Sequence, residues 1–199
     1  MSVVVHLVRH CPQPGVRDVL CGRLLDDPLS DEGRDRAARL ADGLAATAPA
    51  RIDSSPRKRA TETAAMIGAA ADTPIAVAVA LDEIDFGDWS GRSFADLDKD
   101  VRWRFWNAAR DRARPPGGET MHDAVDRAAH HLGTMEKETG DGATVICVTH
   151  GDIIRGLVAR FVGLGLDRIL AMEVDPGSVT TLVVEGDDGR LVALNRCYP

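Results

Sequence analysis

Apolar and polar residues recur along this chain with two periods, and the switches between them mark its elements. Residues 3–8 form a mostly apolar, β-branched run, as a buried strand requires. The stretch CPQPGVRDVLCGRLLDDPL follows, a Pro/Gly-rich loop long enough to suggest function rather than simple connection. Ser30 is a good N-cap, Asp31 and Glu32 suit the positive end of a helix, and Ala37, Leu40 and Leu44 fall at core spacing. RIDSS reads as a short strand ending in small polar residues, and Pro56 opens the helix PRKRATETAAMIGAAA. TPIAVAVAL reads as a third strand, DEIDFGDWSGRS as a loop, and FADLDKDVRWRFWNAARDR as a helix whose Trp103, Phe105 and Trp106 serve packing. PPGGET breaks the chain before a long helix that starts at Glu119 or Thr120 and runs to Thr139. Residues 144–149 form the next strand, and DIIRGLVARFVG is a helix stopped by Gly163. RILAMEV, TTLVVEG and RLVALNR finish the chain as short strands, with EGDDGR as a hairpin turn. Strands alternating with helices predict an α/β sandwich with a largely parallel sheet.

Composition narrows the class. The chain has 199 residues, 44% apolar and 28% charged, which fits one soluble domain spanning 1–199 with a helical insert at about 93–140. A net charge of −7 disfavours generic binding to nucleic acid or anionic membranes. No run reaches a transmembrane length, and the N-terminus lacks the charged and apolar segments of a signal peptide, so a cytoplasmic protein is expected. Cys11, Cys21, Cys147 and Cys197 are scattered without a CxxC pair, so reduced thiols are expected rather than a zinc site or a disulfide framework. His6 and His10 lack further ligands at metal spacing, and His6, His122, His130 and His131 read as structural or surface residues.

The chemistry-bearing residues stand at strand ends. In open α/β sheets, ligands bind outside the carboxyl ends of the strands. Arg9 and His10 end the first strand, Arg57 and Arg59 follow RIDSS, Glu83 follows TPIAVAVAL, and His150 ends TVICVTH. Singly, each has an ordinary explanation: a surface ion-pair partner, a hydrogen-bonded core histidine, a solvated acid. Together they offer one crevice several cations for a phosphate dianion, an imidazole that can attack phosphorus, and a carboxyl that can protonate a leaving alkoxide. No metal or other cofactor is needed for that set.

These residues resemble the histidine phosphatase superfamily, which includes the cofactor-dependent phosphoglycerate mutases. LVRHC is similar to the family's RHG signature, and GRLLDDPLSDEGRDRAARLADGL, SSPRKRATETA, LDEIDFGDWSG, PPGGET and VTHGDIIRGLVARFVG follow in order over nearly the whole chain. The resemblance implies a three-layer α/β/α sandwich with a mixed, mostly parallel central sheet. It implies that His10 becomes phosphohistidine, that Glu83 is the proton donor rather than Asp82 or Asp85, and that Arg9, Arg59 (rather than Arg57) and His150 bind phosphate. The backbone N–H of Gly151 and the amide of Gln13, where relatives have Ser or Thr, are further phosphate contacts on this reading.

The sequence departs from the pattern at Cys11, which replaces the usual glycine. That thiol either fits, narrows the pocket, or lies beside cations that lower its pKa and favour oxidation. The loop after Gln13 lacks the Trp-Asn common in mutases, and Arg17 and Arg23 within it are candidates for contacts to distal anionic groups. The expected function is hydrolysis of a small phosphomonoester through a phosphohistidine. Mutase-type transfer is the alternative, placed second because the short end NRCYP offers little cover to exclude water, which a mutase needs. A non-catalytic phosphate-binding protein is the third reading. Substrate identity and oligomeric state, a homodimer among the candidates, stay open.

Overall fold

The structure is a computed structural model that describes residues 1–14 and 18–198. Six strands form one sheet in the order β3-β2-β4-β1-β5-β6. They are β1 (Val3–Arg9), β2 (Arg51–Ser54), β3 (Ile75–Val77), β4 (Thr144–Thr149), β5 (Val179–Glu185) and β6 (Asp188–Arg196). The pairs β1–β4, β2–β4 and β2–β3 are parallel, and β5 is antiparallel to both β1 and β6. Only β5 is therefore reversed, as the expected mixed, mostly parallel sheet requires.

The central strands are buried on both faces, and their period of two separates two cores. Val3, Val5 and Leu7 of β1, with Val145 and Cys147 of β4, pack towards α5 (Met121–Thr139) and α6 (Gly151–Val162). Val8, Ile146 and Val148 pack on the other side, with Leu40 and Leu44 of α1 (Asp31–Ala45) and Ile67 of α2 (Lys58–Ala71). Helix α1 starts where Ser30 accepts the Gly33 N–H at 3.0 Å. Helix α5 starts with a reciprocal capping box between Thr120 and Asp123.

Four local expectations are corrected. Residues 73–81 do not form one strand, because β2 ends at Ser54 opposite Val77, and Val79–Leu81 turn into a 3-10 helix with no ladder partner. The segment RILAMEV is not a strand either. Leu166–Ala171 winds as 3-10 turns that bury Leu166 and Ile169, three apart, and expose Leu170, a spacing that suits three residues per turn. The helix expected over residues 94–112 is two, α3 (Phe94–Leu97) and α4 (Val101–Ala108), because Asp100 caps the second by accepting the Arg102 N–H at 2.9 Å. Trp103 and Trp106 are core residues stacked edge-on against Trp89 at ring distances of 5.3 and 6.4 Å, whereas Phe105 is exposed.

Candidate active site

The carboxyl ends of β1, β2 and β4 lie side by side, because Arg9 pairs with Thr149 and Ser54 with Val148 in register. The residue after each pairing position is therefore a neighbour in space: His10, His150 and Ser55. Arg9, His10, Gln13, Arg59, Glu83 and Gly151 line a cavity of about 170 Å³ above them, open to solvent. Its volume suits a phosphoryl group with a small part of its ester.

His10 is buried, and its Nδ1 lies 2.9 Å from the Cys11 carbonyl oxygen. A carbonyl only accepts, so Nδ1 carries the proton and Nε2 keeps a free lone pair. Burial, then the charge of Arg59, hold the ring's pKa down at about 3, so the imidazole is neutral at physiological pH. Arg59 is buried on α2, donating to the carbonyls of Leu25 at 3.0 Å and Gly22 at 2.9 Å. The long loop thus aims this guanidinium. Arg9 donates to the Val174 carbonyl at 2.6 Å, and its Nε is buried without a hydrogen-bond partner. A side chain on Gly151 would meet Arg9 at 3.3 Å and Arg155 at 3.1 Å, so the glycine lets both cations lie against the start of α6.

Glu83 follows the 3-10 turn after β3. Its carboxyl is lifted to about 7 by burial first and by the nearby Asp152 charge second, so a large protonated fraction persists at neutral pH. Asp152 itself stays ionised, since Arg110 at 2.6 Å and Arg155 at 3.1 Å outweigh its burial. Gln13 Nε2 donates to Cys21 Sγ at 3.3 Å, and its Oε1 is buried beside the cavity without a partner.

His150 is fully buried and is not a wall of the cavity; it lies directly behind it. Its ring stands edge-on to His10 at 5.2 Å, with Nδ1 3.4 Å from the Arg59 guanidinium and 3.6 Å from Glu83 Oε2. Burial first, then its coupling to any proton on His10 and the charges of Arg59 and Arg9, hold its pKa well below the ordinary histidine value.

Cys11 departs from two of its expectations. Its Sγ points away from the cavity, 3.0 Å from where a Gly177 side chain would start, so it does not narrow the pocket. Burial pushes its thiol up to about 11, the opposite of a reactive thiolate. Residue 11 is not among those with positive φ, so the backbone there makes no demand for glycine. Cys11 and Cys21 are free thiols. Arg17 lies outside the described residues. Arg23 does not reach out to a ligand; it donates to the Glu83 carbonyl at 2.7 Å and to Glu119 at 2.6 Å.

Several contributors escaped the sequence reading. Glu119, in PPGGET, binds Arg23 at 2.6 Å, Arg127 at 2.7 Å and the Asp85 N–H at 3.0 Å, and Arg127 also donates to the Glu83 carbonyl at 3.1 Å. The motif read as a chain break therefore braces the Glu83 loop. Gly118 makes the approach possible, since a side chain there would fall 2.2 Å from the Asp85 carbonyl. Asp82 takes a bidentate contact from Arg57 at 2.9 and 2.9 Å, which removes Arg57 from the cavity. Ser55 links that pair to His150. The signal for Ser55 was its place one residue past β2, matching His10 and His150 past their strands.

Comparison with known proteins identifies relatives of this chain. The chain is 36% identical over 157 residues to a glucosyl-3-phosphoglycerate phosphatase of Mycolicibacterium vanbaalenii, covering 72% of this chain and 67% of that one. It is 27% identical over 174 residues to phosphoserine phosphatase 1 of Hydrogenobacter thermophilus, covering 86% and 82%. A solved mycobacterial glucosyl-3-phosphoglycerate phosphatase superposes with a TM-score of 0.86 at 29% identity, covering 98% of this chain and 99% of that one. The sequence profile of the histidine phosphatase superfamily (branch 1) matches residues 5–196, and this chain belongs to that family.

Proposed function

We propose that the chain hydrolyses a small phosphorylated metabolite by moving its phosphoryl group to Nε2 of His10 and then to water. The observation that carries this reading is the His10–Cys11 hydrogen bond, which leaves Nε2 free on a neutral ring that lines one cavity with Arg9, Arg59 and Glu83. The lone pair of Nε2 attacks phosphorus as the ester P–O bond breaks. Arg9 and Arg59 balance charge on the equatorial oxygens. Glu83, protonated, gives its proton to the leaving oxygen. In the second half, Glu83 as carboxylate takes a proton from water, whose oxygen attacks the phosphohistidine and releases phosphate. Gln13 and the Gly151 N–H contact the phosphoryl oxygens on this reading.

The named relatives act on phosphoglycerate- and serine-based phosphomonoesters, and we infer that the substrate here is likewise a small organic phosphate. A matching stretch of a phosphoglycerate mutase, 34% identical over 107 residues, keeps mutase-type transfer as the second reading. The test is phosphate release across a panel of phosphorylated metabolites with EDTA present and His10→Ala as the control, alongside isomerisation of 3-phosphoglycerate. Phosphate release that depends on His10 is expected. Isomerisation without free phosphate overturns the proposal.

A further inference from the structure

We propose that Arg57, Asp82 and Ser55 form a buried relay that sets the protonation of His150 and lets it donate to a bound phosphoryl group; the inference rests on the function proposed above. Ser55, Asp82 and His150 are buried, and none of the relay residues lines the cavity. They are positioning residues that act through His150.

The hydrogen bonds fix the direction of the relay. Arg59 can only donate, so in the free site Nδ1 of His150 accepts from it and Nε2 carries the proton. Nε2 lies 2.8 Å from Ser55 Oγ, and the Ser55 hydroxyl lies 3.3 Å from Asp82 Oδ1, which only accepts. The proton order is therefore Nε2–H to Ser55 and Ser55 O–H to Asp82. Arg57 grips both oxygens of the Asp82 carboxylate at 2.9 Å. Its Oδ1 also accepts the Glu83 N–H at 2.8 Å, so one carboxylate orients both the proton donor and, through Ser55, the second histidine.

At Nδ1 the partners are distant, Arg59 at 3.4 Å and Glu83 at 3.6 Å, so a phosphoryl oxygen can take that place. A phosphomonoester monoanion has a second pKa of about 6. On binding, its O–H breaks and Nδ1–H forms, giving a dianion and an imidazolium. Arg9, Arg59 and Arg127 oppose that positive charge, and neutral His10 adds none. The dianion and Asp82 favour it, with Asp82 Oδ1 3.9 Å from Nε2. Without Asp82, only the ligand side supports the charge.

The test is a titration of 15N-histidine-labelled protein with inorganic phosphate, the His150 signals being assigned with His150→Asn. Free wild type is expected to show a neutral ring protonated at Nε2, and the phosphate complex a ring protonated at both nitrogens. Ser55→Ala and Asp82→Asn are expected to weaken phosphate binding about tenfold or more, to raise KM similarly, and to leave the bound His150 neutral. Ser55→Ala, the smaller change, keeps the question answerable if Asp82→Asn does not fold. A neutral His150 in the wild-type phosphate complex overturns the relay, as do variants with wild-type phosphate affinity. A wild type that shows the expected ring signals but hydrolyses no phosphomonoester overturns the proposed function and leaves the relay standing.

Discussion

The Cys11 carbonyl oxygen sits 2.9 Å from Nδ1 of His10 and thereby decides which nitrogen of that ring is free. The contact needs no side chain from residue 11, so it survives whatever residue stands there. Because Nε2 is the only unprotonated ring nitrogen, the phosphoryl group is expected on Nε2. His10→Ala is expected to lower phosphatase activity by at least about 10³-fold. It should also remove the acid-labile, base-stable label formed when wild type is quenched during turnover of a 32P-labelled ester. A His10→Ala protein that still forms the label would place the nucleophile elsewhere.

Glu83 ties both activity and stability to pH, and both fall as the pH rises. Its carboxyl is held near 7 by burial and by Asp152, against 4.5 ordinarily. In its proposed role of general acid it must be protonated, so hydrolysis of alkyl phosphates should decline above about pH 7. Glu83→Gln should cost about 10² or more on an alkyl phosphate and much less on p-nitrophenyl phosphate, whose leaving group needs little protonation. For stability, the folded carboxyl binds its proton more tightly than the unfolded one. The fold therefore loses stability as pH rises from 4.5 to about 7, by at most about 3 kcal/mol. Glu83→Gln should thus raise Tm relative to wild type at pH 8 and not at pH 4. Equal differences at both pH values would show that this carboxyl is not the strained group.

The strand ends were legible because the chemistry-bearing residues follow segments that read as strands, and the sheet places such positions together without further instruction. His10, Arg59 and Glu83 meet at one cavity for that reason. Arg57 and Arg23 were not legible: a guanidinium in a loop looks the same in sequence whether it faces a ligand or a buried carboxylate such as Asp82. PPGGET was read as punctuation because its turn residues are plain, whereas the role of Glu119 depends on arginines 96 and 8 residues away. The strand assigned to residues 168–174 failed because a short apolar run carries no period long enough to separate a strand from 3-10 turns.

Glu119 is expected to matter for rate more than for substrate binding. Its carboxylate gathers Arg23 and Arg127, and both of these also hold the Glu83 carbonyl. Glu119→Ala should loosen the Glu83 loop, lower kcat about tenfold and change KM little. A variant with an intact kcat would show that the two arginines hold the loop without it.

Cys11 should be a packing residue. It is fully buried, and burial lifts its thiol to about 11, while Cys197 is exposed. A thiol reagent followed by peptide mass spectrometry should label Cys197 quickly in the native protein and leave Cys11 unmodified. Cys11→Gly should keep activity within about threefold and lower stability by about 1–2 kcal/mol through the lost packing and the freer unfolded backbone. Rapid labelling of Cys11, with inactivation, would restore the redox reading.

Asp53 is a buried ion outside the site. It is fully buried beneath α5, accepting from Arg51 at 2.8 Å and from His131 at 2.8 Å. Burial alone would raise its pKa, but the two hydrogen-bonded partners outweigh that and hold it below its ordinary value of 3.8. The sign follows: an acid whose folded pKa is depressed stabilises the fold above 3.8, and the contribution disappears as pH falls through the lower folded value. Asp53→Ala leaves the Arg51 and His131 donors facing a void, and removal of one partner of a buried pair costs about 3 kcal/mol. In a chain of this length that corresponds to a fall in Tm of about 6–12 °C. Thermal melts at pH 7 and pH 3 check both parts. The difference between variant and wild type should be large at pH 7 and should shrink at pH 3, and a difference that stays constant would mean the aspartate contributes packing rather than charge.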